Sequence, residues 1–185
     1  MLVLPDYIIH EQVCTRENGK VEIYRGYSAV HKTPVIIKVF KQESATPADI
    51  SKFVNEYVLT RELEIKSIVK PARLVASENY FAMVFDEDDE SISLKKYCRE
   101  TPMELPVFLD IAIQLTKAVG ELHQDGIIHR NLRPENISIN PSTREIKISN
   151  FSLATRFPSK GEVNPPSWDI SVNTGLENLQ YMSPE

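Results

Sequence analysis

Lys38 lies inside an otherwise apolar run of residues, and a charged side chain in such a position needs a chemical explanation. Residues 35–40, Val-Ile-Ile-Lys-Val-Phe, favour a strand buried over much of its surface. A buried ammonium group is costly unless it faces a carboxylate or a ligand anion. Lys38 therefore indicates an ion pair or an anion site, and the alternative is a lysine that snorkels from an edge strand beside a surface glutamate.

Charged and amide side chains concentrate again in residues 129–136, His-Arg-Asn-Leu-Arg-Pro-Glu-Asn, and in residues 150–152, Asn-Phe-Ser. Two stretches between these segments, 137–139 and 146–148, alternate apolar and polar residues around a turn that contains proline. This pattern predicts a short β-hairpin. The polar segments therefore lie on either side of a hairpin.

A helix is predicted to follow the lysine strand and to carry a carboxylate. Thr46, Pro47 and Asp49 supply an N-cap hydroxyl, a proline at the first helical position and an acid at the third. The helix is expected to run to about Leu63, with Glu56 beside an apolar stripe where it could face inward. The stripe consists of Ile50, Phe53, Val54, Tyr57 and Val58.

A second, longer helix is predicted from Leu105 to His123, ended by the Asp125-Gly126 pair. Its apolar residues are Phe108, Ile111, Ala112, Leu115, Val119 and Leu122.

Residues 81–85 favour another buried strand, and the acidic run 86–90 after it favours a domain boundary. After Phe157 the periodicity is lost, which predicts a long mobile loop.

Composition limits the classes of partner and compartment. The 185 residues, 42% of them hydrophobic, are enough for one or two small packed units. A net charge of −5, from 26 acidic and 21 basic residues, argues against nucleic acid or an anionic membrane as the partner. Cys14 and Cys98 lack ligand spacing, which argues against zinc and disulfides. With no basic leader and no run of roughly 18 apolar residues, a cytoplasmic chain is expected.

The order of these features resembles that of eukaryotic-type, or Hanks-type, protein kinases. Residues 129–136 resemble the catalytic loop H-R-D-L-x-x-x-N, and residues 150–152 stand where the D-F-G motif would follow. Lys38 resembles the V-A-I-K lysine, with Glu56 in the place of its helix partner. Residues 181–185, Tyr-Met-Ser-Pro-Glu, resemble the A-P-E end of the activation segment.

The resemblance covers nearly the whole chain. Within the family, the chain is similar to the kinase domains that head microbial multi-domain sensor kinases. It implies an α+β, two-lobe fold. The β-rich small lobe, with five strands and one helix, would occupy residues 1–89. An incomplete, C-terminally truncated helical lobe would occupy residues 90–185, so that the second helix would expose part of its apolar face.

The resemblance also implies roles for individual residues. Lys38 would contact the phosphates of ATP and be held by Glu56, with Gly19 and Phe85 among the cofactor-binding positions. Asn136 matches the ligand of a second magnesium ion, although a turn-forming asparagine is the alternative.

Two residues of the loop have roles outside the nucleotide site in that family. Arg130 would pair with a phosphorylated residue of the activation segment, or else be held by backbone carbonyl groups. The phosphate acceptors available are Ser167, Ser171 and Thr174. His129 is expected to be buried and structural.

Departures from the family pattern fall on the catalytic positions. Asn131 stands where an aspartate would act on the substrate hydroxyl, and an amide has no basic oxygen for that role. Asn150 stands where an aspartate would bind magnesium, and hard cations prefer carboxylate oxygen. Ser152 replaces a flexible glycine. The three glycine positions of the nucleotide loop are occupied by Arg16, Asn18 and Val21. Asn178 stands where serine/threonine kinases usually carry a threonine.

Three functions remain open from the sequence. The first is a pseudokinase with impaired phosphoryl transfer that regulates a protein partner or neighbouring signalling domains, with ATP and magnesium binding weakened. The second is a slow but active serine/threonine kinase, and the third is a truncated, nonfunctional remnant. Engineered replacement of Asp by Asn is a further explanation for Asn131 and Asn150, but it leaves the altered glycine loop unexplained.

Overall fold

A computed structural model describes residues 4–16, 19–42, 45–88 and 90–157 of the chain. The contacts of the backbone divide the chain into two units. The first contains residues 1–62 and 69–90, and the second contains residues 63–68 and 91–185. The division expected at residues 89 and 90 stays a prediction, and segment 63–68 packs with the second unit although it precedes that boundary.

The first unit is built on one antiparallel sheet of five strands. The strands are β1 (Tyr7–Arg16), β2 (Val21–Ser28), β3 (Pro34–Lys41), β4 (Arg73–Ala76) and β5 (Tyr80–Asp86). Their order is β1-β2-β3-β5-β4, so the lysine strand β3 is central. The strands predicted at residues 35–40 and 81–85 are confirmed as β3 and β5, and Lys38 lies between Ile23 and Met83 in register.

Strand β3 sends alternate side chains into two different apolar clusters, because successive residues of a strand point to opposite faces. Val35, Ile37 and Val39 join one cluster together with residues of β5. Phe40 joins the other cluster, which also contains Phe53 of the following helix. Lys38 shares the parity of Phe40, and the pleat therefore turns the lysine toward that helix.

Helix α1 spans Pro47–Arg61 and begins at the predicted N-cap, Thr46. The Thr46 hydroxyl accepts from the backbone N–H of Asp49, and the Asp49 carboxylate accepts from the backbone N–H of Thr46, which completes a capping box. The predicted stripe is partly wrong: Val58 is 47% exposed. Phe53 of the stripe is buried and Glu56 faces inward, as expected, and tertiary packing also buries Leu59 and Thr60, which the stripe omits.

Up to Phe157, where the described residues end, the second unit contains two α-helices and two small sheets. Helix α2 spans Leu94–Glu100, and helix α3 spans Leu105–Gln124, close to its predicted bounds. The remaining strands are β6 (Ile92–Ser93), β7 (Ile127–Ile128), β8 (Ile137–Ile139), β9 (Ile146–Ile148) and β10 (Thr155–Arg156). They pair as β6-β8-β9 and β7-β10. The predicted hairpin is confirmed as β8 and β9, and the α+β class is confirmed as well.

Helix α3 buries a narrower face than its sequence predicts. Ile111 and Leu122 are buried as expected, whereas Phe108 is 53% exposed and Ala118, which the predicted stripe omits, is buried. Further exposed apolar residues of this helix are Leu105, Leu109 and Ile113. Part of the apolar face of α3 is thus open, as the sequence led us to expect.

None of the helices in the described part of the chain is long and apolar enough to cross a membrane. The predictions for the loop after Phe157, for the phosphate acceptors Ser167, Ser171 and Thr174, for Asn178 and for residues 181–185 lie outside the described residues.

Candidate functional site

The first unit brings Lys38 and Glu56 together as a buried ion pair. Lys38 Nζ lies 2.6 Å from Glu56 Oε2, and the two side chains are 9% and 4% exposed. The ammonium group also lies 5.6 Å from the centre of the Phe53 ring, one helical turn before Glu56. The buried lysine is therefore paired with a helix carboxylate, and the edge-strand alternative is excluded because β3 is central.

A second ion pair joins the start of helix α1 to the β1–β2 connection. Lys20 Nζ lies 2.8 Å from Asp49 Oδ2, the carboxylate of the capping box. The hydrogen bonds of Lys20 and then of Thr46 lower the pKa of Asp49 to about 2. One carboxylate thus caps the helix and ties it to the connection that precedes β2. The sequence showed the cap, but Lys20 carries no local signal because it lies 29 residues away.

The other predicted cofactor positions of this unit make fewer specific contacts. Gly19 has φ +91°, a backbone conformation that favours glycine, and it is exposed. Phe85 lies on β5 opposite Ile36 and packs half-buried against the cluster that contains Phe53. Val21 is fully buried opposite Phe40, so it belongs to the core. Asn18 lies outside the described residues.

In the second unit, His129 is buried and connects two backbone segments. Its Nδ1 accepts a hydrogen bond from the backbone N–H of Asn131 at 3.2 Å, and its Nε2 lies 3.1 Å from the carbonyl oxygen of Ser149. Because an N–H faces Nδ1 and a carbonyl faces Nε2, the ring carries its proton on Nε2. The ring also packs edge-on against Phe151, with centroids 4.6 Å apart. His129 therefore supports the loop, and its nitrogen atoms are committed to backbone partners.

The side chain of Asn136 connects the loop to the segment after the hairpin. Asn136 is fully buried at the end of a short 3-10 turn, Pro134–Asn136. Its Nδ2 donates to the carbonyl oxygen of Asn131 at 2.9 Å, and its Oδ1 accepts from Asn150 Nδ2 at 3.2 Å. The Oδ1 of Asn150 in turn accepts from the Ser152 hydroxyl at 3.1 Å. Four residues that depart from or match the kinase motifs, Asn131, Asn136, Asn150 and Ser152, are thus joined in one relay.

The backbone reinforces this relay. The N–H of Ser149 donates to the carbonyl oxygen of Asn136 at 2.8 Å, and the Ser149 hydroxyl reaches the same oxygen at 3.1 Å. Asn150 itself has φ +66°, a left-handed conformation that asparagine and aspartate adopt more readily than other side chains. Sequence reasoning missed Ser149, because its contacts are hydrogen bonds to residues 13 and 20 positions earlier in the chain.

The remaining loop residues point elsewhere. Asn131 is half-buried, and its side-chain amide makes no hydrogen bond with any other described residue, although its backbone is held at both ends. Arg130 is exposed with φ +58° and has neither an ion pair nor a hydrogen bond within the described ranges. Glu135 pairs with Lys95 at 2.6 Å. Burial by itself would raise the pKa of this carboxyl, but the hydrogen bonds from Lys95 and from its own backbone N–H, together with the charges of Lys95 and Arg133, lower it.

The groups around Asn136 and Asn150 do not fit a magnesium ion. Magnesium takes oxygen ligands, and carboxylates in particular. The Asn136 amide oxygen faces the N–H group of Asn150, which is a hydrogen-bond donor and cannot bind a cation. Nowhere in the described ranges do three His, Cys, Asp or Glu side chains gather as metal ligands would.

Comparison with known proteins gives the family and two relatives. The protein kinase domain model matches residues 7–185. The serine/threonine-protein kinase PkaA of Streptomyces coelicolor is 32% identical over 131 residues, which cover 69% of this chain and 24% of that protein. The serine/threonine-protein kinase PrkC of Bacillus subtilis is 27% identical over 169 residues, which cover 90% of this chain and 25% of that protein. The chain thus spans about a quarter of the length of these relatives.

Proposed function

Because this chain belongs to the protein kinase domain family, with a β-rich unit and a helical unit of the kinase type, we propose that it is a pseudokinase. It transfers phosphate poorly or not at all, and it acts in signalling as a regulatory or binding module. The observation that carries the proposal is the side chain at position 131. Asn131 stands on the catalytic loop in the place of the family's carboxylate, and a neutral amide cannot accept the proton of a substrate hydroxyl.

The proposal for ATP and magnesium binding follows from Lys38 and from the amide at position 150. The family generally uses ATP and magnesium. Lys38 keeps the charge and the burial needed to attract phosphate oxygen, while Asn150 directs an N–H group at the oxygen of Asn136. We therefore expect nucleotide to bind weakly through the lysine, with little contribution from magnesium at the amide pair.

Regulation through contact with other proteins is the activity left to a kinase domain with impaired chemistry. The relatives are about four times longer than the matched region, so in them the kinase domain is accompanied by other segments. A partner protein or a neighbouring signalling domain is accordingly the proposed target. The net charge of −5 gives no support to nucleic acid or an anionic membrane as partner, and we place the domain in the cytoplasm.

A slow but active serine/threonine kinase is the second candidate, and a specific observation favours it. The Lys38–Glu56 pair is formed at 2.6 Å, which in this family belongs to the arrangement competent for phosphoryl transfer. Both relatives are also named as serine/threonine kinases. The third candidate, a nonfunctional remnant, is disfavoured by the buried apolar clusters in both units.

Transfer of labelled phosphate from ATP to the chain itself and to mixed Ser/Thr peptides tests the proposal. Three variants are compared with the parent chain: Lys38→Ala, Asn131→Asp, and the double variant Asn131→Asp with Asn150→Asp. The pseudokinase proposal expects no transfer above the Lys38→Ala background in the parent chain. Transfer by the parent chain that Lys38→Ala abolishes would establish the slow kinase instead.

The double variant then separates two causes of inactivity. Transfer that appears only when both carboxylates are restored shows that the chemistry alone was lost. No transfer in the double variant, together with a cooperative unfolding transition, assigns the loss to nucleotide binding as well. A chain without any cooperative transition would support the remnant.

A further inference from the structure

We propose that the amide group of Asn150 takes the structural place of a divalent cation, so that the residues after the hairpin are tied to the catalytic loop without metal. The tie is the relay from the Asn131 carbonyl through Asn136 and Asn150 to Ser152. This inference concerns how the second unit holds its own loop, and it stands whether or not the chain transfers phosphate.

The direction of every hydrogen bond in the relay is set at its Asn131 end. The Asn131 carbonyl oxygen can only accept, so the group of Asn136 that faces it at 2.9 Å is the NH₂ group. The other face of that carboxamide, its oxygen, is therefore turned to Asn150. Asn150 must then donate through Nδ2, which leaves its own oxygen to accept from the Ser152 hydroxyl.

Burial makes the donor at position 150 necessary. Asn136 is fully buried, and a buried carboxamide oxygen without a partner is costly. A carboxylate at position 150 offers only acceptor oxygens, so it would face the Asn136 oxygen acceptor to acceptor. A cation between the two oxygens would relieve that repulsion, and the N–H of Asn150 relieves it without a cation.

Ser152 is part of the same hydrogen-bond relay. Its hydroxyl satisfies the Asn150 oxygen at 3.1 Å and thereby holds the Asn150 carboxamide in the orientation that donates to Asn136. A glycine at this position could not do so, because it has no hydroxyl. The replacements at positions 150 and 152 are thus explained together, as two parts of one hydrogen-bonded structure.

Thermal unfolding of the chain with Asn150→Asp tests the proposal, using magnesium chloride alone as the probe. Each protein is measured in EDTA and in magnesium at matched ionic strength, without nucleotide. The backbone conformation at φ +66° suits aspartate as well as asparagine, so the variant changes the donor and the charge only. Asn140→Asp is the matched control, because the Asn140 oxygen accepts from two turn N–H groups that a carboxylate can also serve.

The parent chain and Asn140→Asp should show the same midpoint in EDTA and in magnesium. Asn150→Asp should unfold about 3–6 °C lower in EDTA, the shift expected when a buried hydrogen bond becomes an acceptor–acceptor contact in a chain of this size. Magnesium should restore most of that loss. A midpoint of the parent chain that rises with magnesium, or an Asn150→Asp variant that magnesium does not stabilise, would overturn the proposal.

A measurement on the parent chain alone covers the case in which Asn150→Asp fails to fold. Manganese prefers oxygen ligands as magnesium does, and its unpaired electrons broaden nearby NMR signals. The side-chain NH₂ signals of Asn136 and Asn150 should keep their intensity when manganese is added without nucleotide. Selective loss of these signals at low manganese concentration would place a metal at the amide pair and refute the proposal.

Discussion

Lys38 Nζ and Glu56 Oε2 lie 2.6 Å apart, and the two side chains are almost completely removed from solvent. The pair connects the central strand β3 to helix α1, and the alternation of β3 is what turns the lysine to that side of the sheet. Charges in such an environment depend on one another, because each is poorly solvated without its partner. The first unit thus forms a buried lysine–glutamate ion pair, and the loop at residues 129–136 carries an amide, not a carboxylate, at position 131.

Removing one member of this pair should destabilise the first unit strongly. Glu56→Ala leaves the Lys38 ammonium buried without its carboxylate, and we expect the free energy of unfolding to fall by about 3 kcal/mol. Urea denaturation of the parent chain and the variant measures the change. The double variant Lys38→Met with Glu56→Leu replaces both charges with apolar groups, and it should lose less than the single variants Lys38→Met and Glu56→Leu added together. Additive losses would show that the two groups act independently.

The capping carboxylate Asp49 should make a measurable contribution to stability at low pH. Its pKa of about 2 in the folded chain lies below the ordinary value of 3.8, so folding favours the charged form. The contribution is fully present above about pH 4 and is lost as the pH falls toward 2. Because both partners are partly solvated, we expect it to be on the order of 1 kcal/mol.

Asp49→Asn removes the charge while it keeps an oxygen for the Thr46 N–H. The difference in urea stability between the parent chain and this variant should be present at pH 6 and smaller at pH 3. Lys20→Met, which removes only the ion pair at 2.8 Å, should show part of the same pH dependence. A difference between parent chain and Asp49→Asn that does not change with pH would assign the effect to helix capping alone.

The His129 ring should protect the backbone of the catalytic loop. His129→Phe keeps an aromatic ring beside Phe151 but removes both hydrogen bonds to the backbone, at a cost of about 2 kcal/mol. Hydrogen exchange read at single residues should then become faster at the N–H of Asn131. Phe151→Leu is the matched comparison, since it removes the ring contact and leaves both hydrogen bonds. If Phe151→Leu accelerates exchange at Asn131 as much as His129→Phe does, packing and not hydrogen bonding protects the loop.

Nucleotide binding, where it occurs, should be insensitive to magnesium. We expect ATP to raise the unfolding midpoint by about 3–5 °C at roughly ten times its Kd, and by the same amount in EDTA as in magnesium. Lys38→Met should abolish the shift, because it removes the charge that attracts phosphate. In Asn150→Asp the shift should become larger in magnesium than in EDTA. A shift in the parent chain that requires magnesium would contradict the cofactor proposal. The absence of a shift in both EDTA and magnesium would show that the chain does not bind ATP.

Much of the architecture was predictable because it depends on local stereochemistry. Strand β3, the hairpin of β8 and β9, and the start of α1 at Thr46 follow from side-chain alternation, turn residues and capping groups that lie within a few positions of one another. The kinase resemblance could also be recognised from the sequence, since it rests on short motifs such as residues 129–136. These features are encoded in neighbouring residues and need no knowledge of distant contacts.

The faces that the helices bury were predicted less well. On α1 the predicted stripe included Val58, which is exposed, and omitted Leu59 and Thr60, which are buried, whereas the inward position of Glu56 was expected. On α3 the sequence led us to expect that part of the apolar face would be open, but it did not show that Phe108 would be exposed and Ala118, outside the predicted stripe, buried. An apolar pattern states which residues can be buried, but the position of the neighbouring sheet or helix decides which of them are.

The partner of each polar group was decided by tertiary structure alone. Position 150 by itself showed only an amide where the kinase resemblance implies a carboxylate. Asn136 lies 14 residues away along the chain, and only the folded loop brings its oxygen to the Asn150 NH₂ group. A hydrogen bond requires a donor and an acceptor in register, so the sequence determined which groups the chain possesses, and the fold determined which of them meet.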